Sequence, residues 1–407
     1  MPNIYDVAKR ARVSVATVSA VLNDSAFVSA DLKTRVHAAV DALGYQPNLL
    51  ARSMAKQRTQ TLGMIVPDIA NPFFPEVVRG AEDTAHAGGY TLLIASSDND
   101  LKKEAIYLRL FLAKRVDGII LTKAPGRLPP ELQSALAKAS VPIVLLARTV
   151  PGFSTDAVEL DDKGAAFEGV THLLRLGYRR IGLIGGLHGA STSRRRLDGY
   201  KAALKAWKIR LDPALVAEGD FRVESGYRAG LDLLKGRPDA VFIANYLMTV
   251  GFMEALRQYR LRCPEDVALV TCDDYPWMDS FSPRLTTIDL PKRELGAAAA
   301  KLLVERIAKP GGRPRTVRLK NAMRVRESCG CGLIGSQKKI SMSRRPDAIS
   351  APICWSPPSG PLWKQVTGRS SVSPSSLPVV PVAYRTWSAR MSRLYSAHSR
   401  RSPFLSS

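Results

Sequence analysis

Cysteine is scarce here: the 407 residues hold five, at positions 263, 272, 329, 331 and 354. An odd, scattered set does not make a disulfide framework, and it fits a reducing compartment. Cys329-Gly-Cys331 has no second cysteine pair to complete a metal site, so none is expected. Long apolar runs are missing too. None approaches the roughly 20 residues of a membrane-crossing helix. The amino terminus opens on a polar, helical pattern rather than the apolar stretch of a secretion signal. A cytoplasmic protein without a membrane partner is the expectation. The third shortage is of acids: 36 Asp and Glu stand against 59 Lys and Arg, for a formal net charge of +23. Eleven bases and one acid follow Cys329, a surplus of +10 that leaves +13 on residues 1–329. That excess points to a polyanionic partner such as nucleic acid.

What is present has three textures. Residues 1 to about 58 read as short helices with tight turns. From residue 60 to about 328, apolar runs such as TLGMIVPDI, YTLLIAS, DGIILT, VPIVLLA, RIGLIGG, AVFIAN and VALVTC alternate with amphipathic stretches of helical length. That alternation predicts an α/β fold of βαβ units with parallel sheets covered on both faces. About 270 residues is long for one sheet, so two similar lobes are expected. Residues 330–407 are rich in Ser, Pro and Arg and lack periodicity, which predicts a disordered tail. The predicted division is 1–46, a linker at 47–60, a core at 61–329, and the tail. Within the core, 61–160 with 290–329 forms one lobe and 161–289 the other.

The stretch YDVAKRARVSVATVSAVLN, residues 5 to 23, carries two helical phases. Val7, Ala8 and Ala11 make one apolar face, and Val18, Val21 and Leu22 make another. Arg12-Val13 is the turn, and Ser14 is a natural N-cap. Ser29 is expected to cap a third helix with Val36, Ala39, Val40 and Leu43 inward, ended by Gly44. This is a helix-turn-helix with a packing helix. Val15, Ala16, Ser19 and Ala20 are left facing outward, toward base edges in a major groove. Ser14, Thr17, Ser19 and Asn23 are short groups suited to phosphate oxygens, while Val15 and Ala16 suit thymine methyls. In the next segment, PNLLARSMAKQRT, a helix of about eight residues is marginal alone and forms only when docked. Its apolar side chains fit a wedge between base steps in the minor groove.

These pieces resemble the lactose-repressor (LacI/GalR) family of bacterial transcription regulators. So do GYQPNLLARSMAKQRTQTLGMIVPDIANPFFPEVVRGAE, HLLRLGYRRIGLIGG, RRRLDGYKAAL, CPEDVALVTCDD, SPRLTTIDLP and VRESC. The resemblance runs over residues 3 to 329. It implies an all-α headpiece, a hinge helix, and a two-lobed, periplasmic-binding-protein-like core that dimerises and holds a small effector between its lobes. It places Val15, Ala16 and Ala20 at base-reading positions and Met54 at the position of the intercalating wedge. Ala20 stands where many members have arginine, so the usual operator is not expected. The full expected DNA-facing set is Tyr5, Ser14, Val15, Ala16, Thr17, Ser19, Ala20, Asn23, Ser29, Asn48, Ala51 and Met54. The partners implied are a near-palindromic double-stranded DNA operator, a second copy of the chain and the effector, in the bacterial cytoplasm with the nucleoid.

Ligands in such cores bind at the carboxyl ends of strands. Phe73 and Phe74 follow MIVPDI at a helix start, and as exposed rings they suit a sugar or flat ring, unless they pack into the core. Phe221 in EGDF, Arg196 in SRRRLDGY, Asp273 after VALVTC, and Thr192 and Asn245 complete the expected effector set. Arg194 and Arg195 read as solvated neighbours of Arg196. Ala147, Tyr246 and Leu290 depart from the aspartate, acid and glutamine that some members carry there. The effector expected is a sugar or sugar derivative, with a purine-like corepressor as alternative. The histidines, including His86, His172 and His188, have no nucleophile beside them in the sequence, and the glycines after RIGLI lack dinucleotide spacing, so neither an enzyme nor a cofactor is expected. The rivals are a transport-type solute-binding protein without DNA, a sugar-processing enzyme and a sequence-indifferent architectural DNA binder.

Overall fold

The computed structural model of the protein describes residues 2–23, 27–45, 58–150 and 154–333. The hinge helix expected before residue 58, with Asn48, Ala51 and Met54, and the tail beyond residue 333 lie outside the described residues.

The amino-terminal unit is three helices: α1 (Ile4–Ala11), α2 (Val15–Asn23) and α3 (Ala30–Leu43). Asn3 accepts the Tyr5 and Asp6 amides, and the Asp6 carboxylate accepts the Asn3 amide in return, which closes the first turn of α1. Arg12 ends α1 in the left-handed region at φ 53°. Ser14 Oγ then accepts the Thr17 amide at 3.0 Å and starts α2. Ser29 stands at the N-cap of α3, but its side chain makes no capping bond; its carbonyl alone accepts the Lys33 amide, at 3.0 Å. Gly44, at φ 58°, closes α3. Val7, Ala8, Ala11, Val18, Val21, Val36 and Ala39 meet in the centre. Arg35 donates to the carbonyls of Ala11 at 2.7 Å and Arg12 at 3.1 Å, so α3 grips the turn between α1 and α2.

The core holds two six-stranded sheets. The first comprises β1 (Thr61–Val66), β2 (Thr91–Ser96), β3 (Gly118–Leu121), β4 (Ile143–Leu146), β5 (Asp156–Leu160) and β11 (Thr316–Leu319), in the order β11-β5-β4-β3-β1-β2. The second comprises β6 (Ile181–Gly185), β7 (Val216–Glu218), β8 (Ala240–Ile243), β9 (Ala268–Cys272), β10 (Thr286–Asp289) and β12 (Ala322–Arg324), in the order β12-β10-β9-β8-β6-β7. All pairings are parallel except β12 on β10. The antiparallel edge corrects the lobe division. Residues 322–329 belong to the second lobe, not the first, because β12 pairs with β10 and the Ser328 carbonyl accepts the Leu269 amide at 2.7 Å. The chain thus passes between lobes three times, after β5, β10 and β11.

The strands read as continuous apolar runs because both faces are covered. In β1, Leu62, Met64 and Val66 face one cluster and Ile65 the other. Helices α4 (Phe73–Ala87) and α11 (Lys292–Ala308) cover the first face of that sheet, and α5 (Leu101–Ala113) and α6 (Pro130–Ala139) the second. In the second lobe, α7 (Asp162–Arg175) and α8 (Ser191–Ala206) lie on one face, and α9 (Val223–Lys235) and α10 (Tyr246–Gln258) on the other.

Helices α4 and α11 touch backbone to backbone. A Cβ at Gly80 would lie 1.9 Å from the Arg293 carbonyl oxygen, and one at Gly296 would lie 1.8 Å from that of Val77. Gly296→Val must separate the two helices and is expected to cost about 1–3 kcal/mol, as overpacking does. The measurement is the urea midpoint of the core transition: a drop at constant slope is expected, and an unchanged midpoint contradicts the close crossing.

Candidate functional site

The headpiece presents α2. Ala16 and Ser14 are exposed, and Tyr5 is 70% exposed. The expectation that Val15, Ala16, Ser19 and Ala20 all face outward needs correction. Residues 15, 18 and 22 share one helical face, so Val15 leans onto the core beside Val18 and Leu22. Ser19, Ala20 and Thr17 are half-buried, and Ser29 is exposed. The Asn23 side chain lies outside the described residues.

The chain enters the core through a firm anchor. The Asp117 carboxylate accepts the amides of Thr59 and Gln60, each at 2.9 Å. The Arg58 guanidinium reaches the Ile307 carbonyl of α11 at 3.4 Å. Residues 58–60 are therefore fastened to the first lobe.

All seven residues expected at the effector site line one cleft, which encloses about 470 Å³, part of it open to solvent. It sits where carboxyl ends of strands in the two sheets face each other. Phe73 and Phe74 begin α4 after β1, with their rings edge to face at 5.1 Å. They are not the exposed rings expected: they are 9% and 7% exposed and serve core and cleft wall together. Asn71 Oδ1 accepts the Phe73 amide at 3.1 Å and fixes that turn. From the second lobe, Thr192 and Arg196 come from the first turns of α8, Phe221 follows β7, Asn245 follows β8 and Asp273 follows β9. Asn245 caps α10 by accepting the Met248 amide at 3.0 Å, while its Nδ2 donates to the Phe221 carbonyl at 3.1 Å. Ala147, Phe221 and Asp273 have φ of 60°, 71° and 74°. Non-glycine residues held in that region cost of order 1–3 kcal/mol each and cluster at binding sites. Here each turns the chain sharply just past a strand end.

The charges are arranged in buried pairs. Arg196 meets Asp162, the first residue of α7, at 2.7 Å, and also donates to the Ala244 carbonyl. Lys123 meets Glu104 at 2.8 Å behind the first-lobe wall. Asp273 Oδ1 is buried without a hydrogen-bond partner, and Oδ2 has only the Tyr246 amide at 3.4 Å. Burial raises the Asp273 pKa, against the pull of Arg196 and Lys292. Burial also lowers the Arg148 guanidinium to about 10, which leaves it charged at neutral pH.

Sequence reading missed several cleft residues: Asn71, Thr122, Arg148 and Leu160 also line it, beside Ala147. The signal for Arg148 was its place directly after the run VPIVLLA. Arg195 is no solvated neighbour. It donates to Glu159 of the first lobe at 2.6 Å and to Thr149 Oγ1 at 2.9 Å, and so joins the two lobes. Tyr246 sits edge to face with Tyr275, Trp277 and Phe281, and Leu290 is buried. Among the described residues no helix is long and apolar enough to cross a membrane.

Comparison with known proteins agrees with this architecture. Residues 3–48 match the bacterial regulatory proteins of the lacI family, and residues 170–329 match the periplasmic binding protein-like domain. The chain is 34% identical to the HTH-type transcriptional repressor PurR of Photobacterium profundum over 331 residues, 81% of this chain and 98% of that one. It is 33% identical to the transcriptional regulator CelR in its complex with cellobiose, with a TM-score of 0.61 and coverage of 81% and 100%. The Lac repressor dimer bound to operator and the anti-inducer ONPF superposes with a TM-score of 0.72 at 26% identity, covering 81% and 99%. A helix-turn-helix unit joined to a two-lobed cleft, with relatives matched along nearly their whole length, makes this chain a member of the lacI family of bacterial regulatory proteins, a DNA-binding regulator of transcription.

Proposed function

We propose that the protein is a ligand-controlled repressor that works as a homodimer on a near-palindromic operator. Each headpiece lays α2 in the major groove of one half-site. Met54 of each copy is the apolar wedge in the minor groove at the dyad. The effector, a sugar or sugar derivative, lies in the cleft between the lobes. The observation that carries this reading is the convergence of seven side chains on strand ends of both sheets around a carboxylate oxygen that lacks a partner. A buried acceptor without a donor costs free energy, and a ligand hydroxyl relieves it. Closure of the lobes on the ligand moves the anchor at Arg58–Gln60 and so resets the spacing of the linkers that enter the DNA. The effector shifts operator affinity only by its differential affinity for the two lobe arrangements, about 1–3 kcal/mol. A solute-binding role without DNA leaves the headpiece unexplained. The protein turns nothing over, and it acts in the cytoplasm with the bacterial chromosome.

Selection of bound duplexes from random DNA, with and without a panel of sugars, yields operator and effector together. Two substitutions then separate the functions. Ala16→Glu puts a charge against the groove and is expected to lower operator affinity at least 100-fold while the core still binds ligand; normal operator binding removes α2 as the reader. Asp273→Asn is expected to move the effector dose-response by one to two orders of magnitude, and an unchanged response displaces the cleft assignment. The raised Asp273 pKa also sets a pH dependence. A ligand hydroxyl donates best to the ionised carboxylate, so effector affinity is expected to fall as pH drops through that pKa. The dependence is expected to vanish in Asp273→Asn when affinity is measured by calorimetry across acidic pH.

A further inference from the structure

Four cationic side chains are buried among the described residues: Lys123, Arg148, Arg196 and Lys292. Three have a carboxylate at hand. Lys123 has Glu104 at 2.8 Å, Arg196 has Asp162 at 2.7 Å and Lys292 has Asp289 at 3.6 Å. Arg148 is the exception. It is 6% exposed, and its hydrogen bonds use Nη1 alone, to the Asn99 carboxamide at 2.6 Å and the Lys123 carbonyl at 3.3 Å. Both acceptors are neutral. Glu104 and Asp162 are the nearby acids, but Glu104 is engaged by Lys123 and by the Ala124 amide at 2.5 Å, and Asp162 by Arg196 at 2.7 Å. Two acids thus serve three cations, Lys123, Arg148 and Arg196. The neighbouring position, Ala147, supplies no carboxylate either.

A desolvated guanidinium whose nearby acids are paired with other cations is costly. Here Nε and Nη2 are left without a hydrogen bond among the described residues, and that edge of a guanidinium matches a carboxylate through two parallel bonds. Arg148 lines the cleft, and its guanidinium lies 5.9 Å from the Phe221 ring of the other lobe. Across the cleft, Asp273 presents the opposite need, an acceptor awaiting a donor. On the ligand-gated reading of this cleft, we infer that the effector is a sugar acid, a polyhydroxy monocarboxylate whose carboxylate seats on Arg148 and whose hydroxyl donates to Asp273. A phosphate ester would bring close to two negative charges to a wall with one cation outside a direct ion pair, so the carboxylate fits better.

The test uses calorimetry on the full chain with pairs that differ at one carbon: glucose and glucuronate, galactose and galacturonate, with gluconate and glucose 6-phosphate added. At least one carboxylate is expected to bind tenfold or more tightly than its neutral counterpart. Arg148→Met is expected to bring that ratio below threefold. Ala147→Asp, which sets a carboxylate beside Arg148, is expected to turn the preference toward the neutral sugar. Thermal unfolding of both variants checks that they fold, and the opposite directions of their effects separate charge matching from damage. Tighter binding of a neutral or phosphorylated sugar, an unchanged ratio in Arg148→Met, or no binding by any carboxylate overturns the inference. The two readings fail separately. A sugar acid that binds without altering operator affinity upholds this inference and refutes gating, whereas a neutral sugar that alters operator affinity does the reverse.

Discussion

The arrangement of the cleft depends on one guanidinium. Arg196 projects from α8, pairs with Asp162 just past the first crossing between lobes, and holds the carbonyl of Ala244 at the end of β8. Three separate stretches of chain are thereby fixed around one buried charge. The desolvation of such a pair is repaid only when its geometry and its further hydrogen bonds are good. Here the backbone carbonyl supplies part of that satisfaction. Asp162 Oδ2 remains without a partner, so the pair is tuned for position more than for stability. Asn245, the next residue after Ala244, is then set to cap α10 and to hold Phe221.

Around this centre the backbone stores strain. Ala147, Phe221 and Asp273 each turn through the left-handed region just beyond a strand. The surrounding sheets, buried on both faces, over-determine these turns. The result is a set of polar groups held together around one cleft. The lobes are also tied by Arg195, which donates to Glu159 and Thr149. The Asp117 carboxylate fastens Thr59 and Gln60 to the first lobe.

Much of this was legible in the residues. The three-and-four spacing of small apolar side chains, with Ser14 and Gly44 as punctuation, specified the headpiece, because short helices are written in local periodicity and caps. The sheets were legible because doubly covered parallel strands are unbroken apolar runs. The seven cleft residues were legible through the family resemblance and through their places after those runs. What escaped was tertiary. Residues 322–329 were assigned to the wrong lobe because β12 pairs antiparallel with a strand some 35 residues away. Arg195 looked solvated because Glu159 lies 36 residues off in sequence, and Arg148 went unnoticed because its carboxamide partner is 49 residues off. Val15 turns inward because it shares a helical face with Val18 and Leu22. For Phe73 and Phe74 the residues leave exposed ring and core packing both open, because nothing local shows that a cleft wall is also core.

In the proposed function, occupancy of the cleft and grip on the operator are two readouts of one lobe arrangement. Thermodynamic linkage makes this strict: whatever factor the effector imposes on operator affinity, the operator imposes on effector affinity. The most direct measurement is effector binding by the full-length dimer, titrated alone and then with saturating operator duplex. The effector dissociation constant is expected to change by the same factor, about 5- to 150-fold, as the operator constant does when effector is added. Identical effector affinity with and without operator would contradict it.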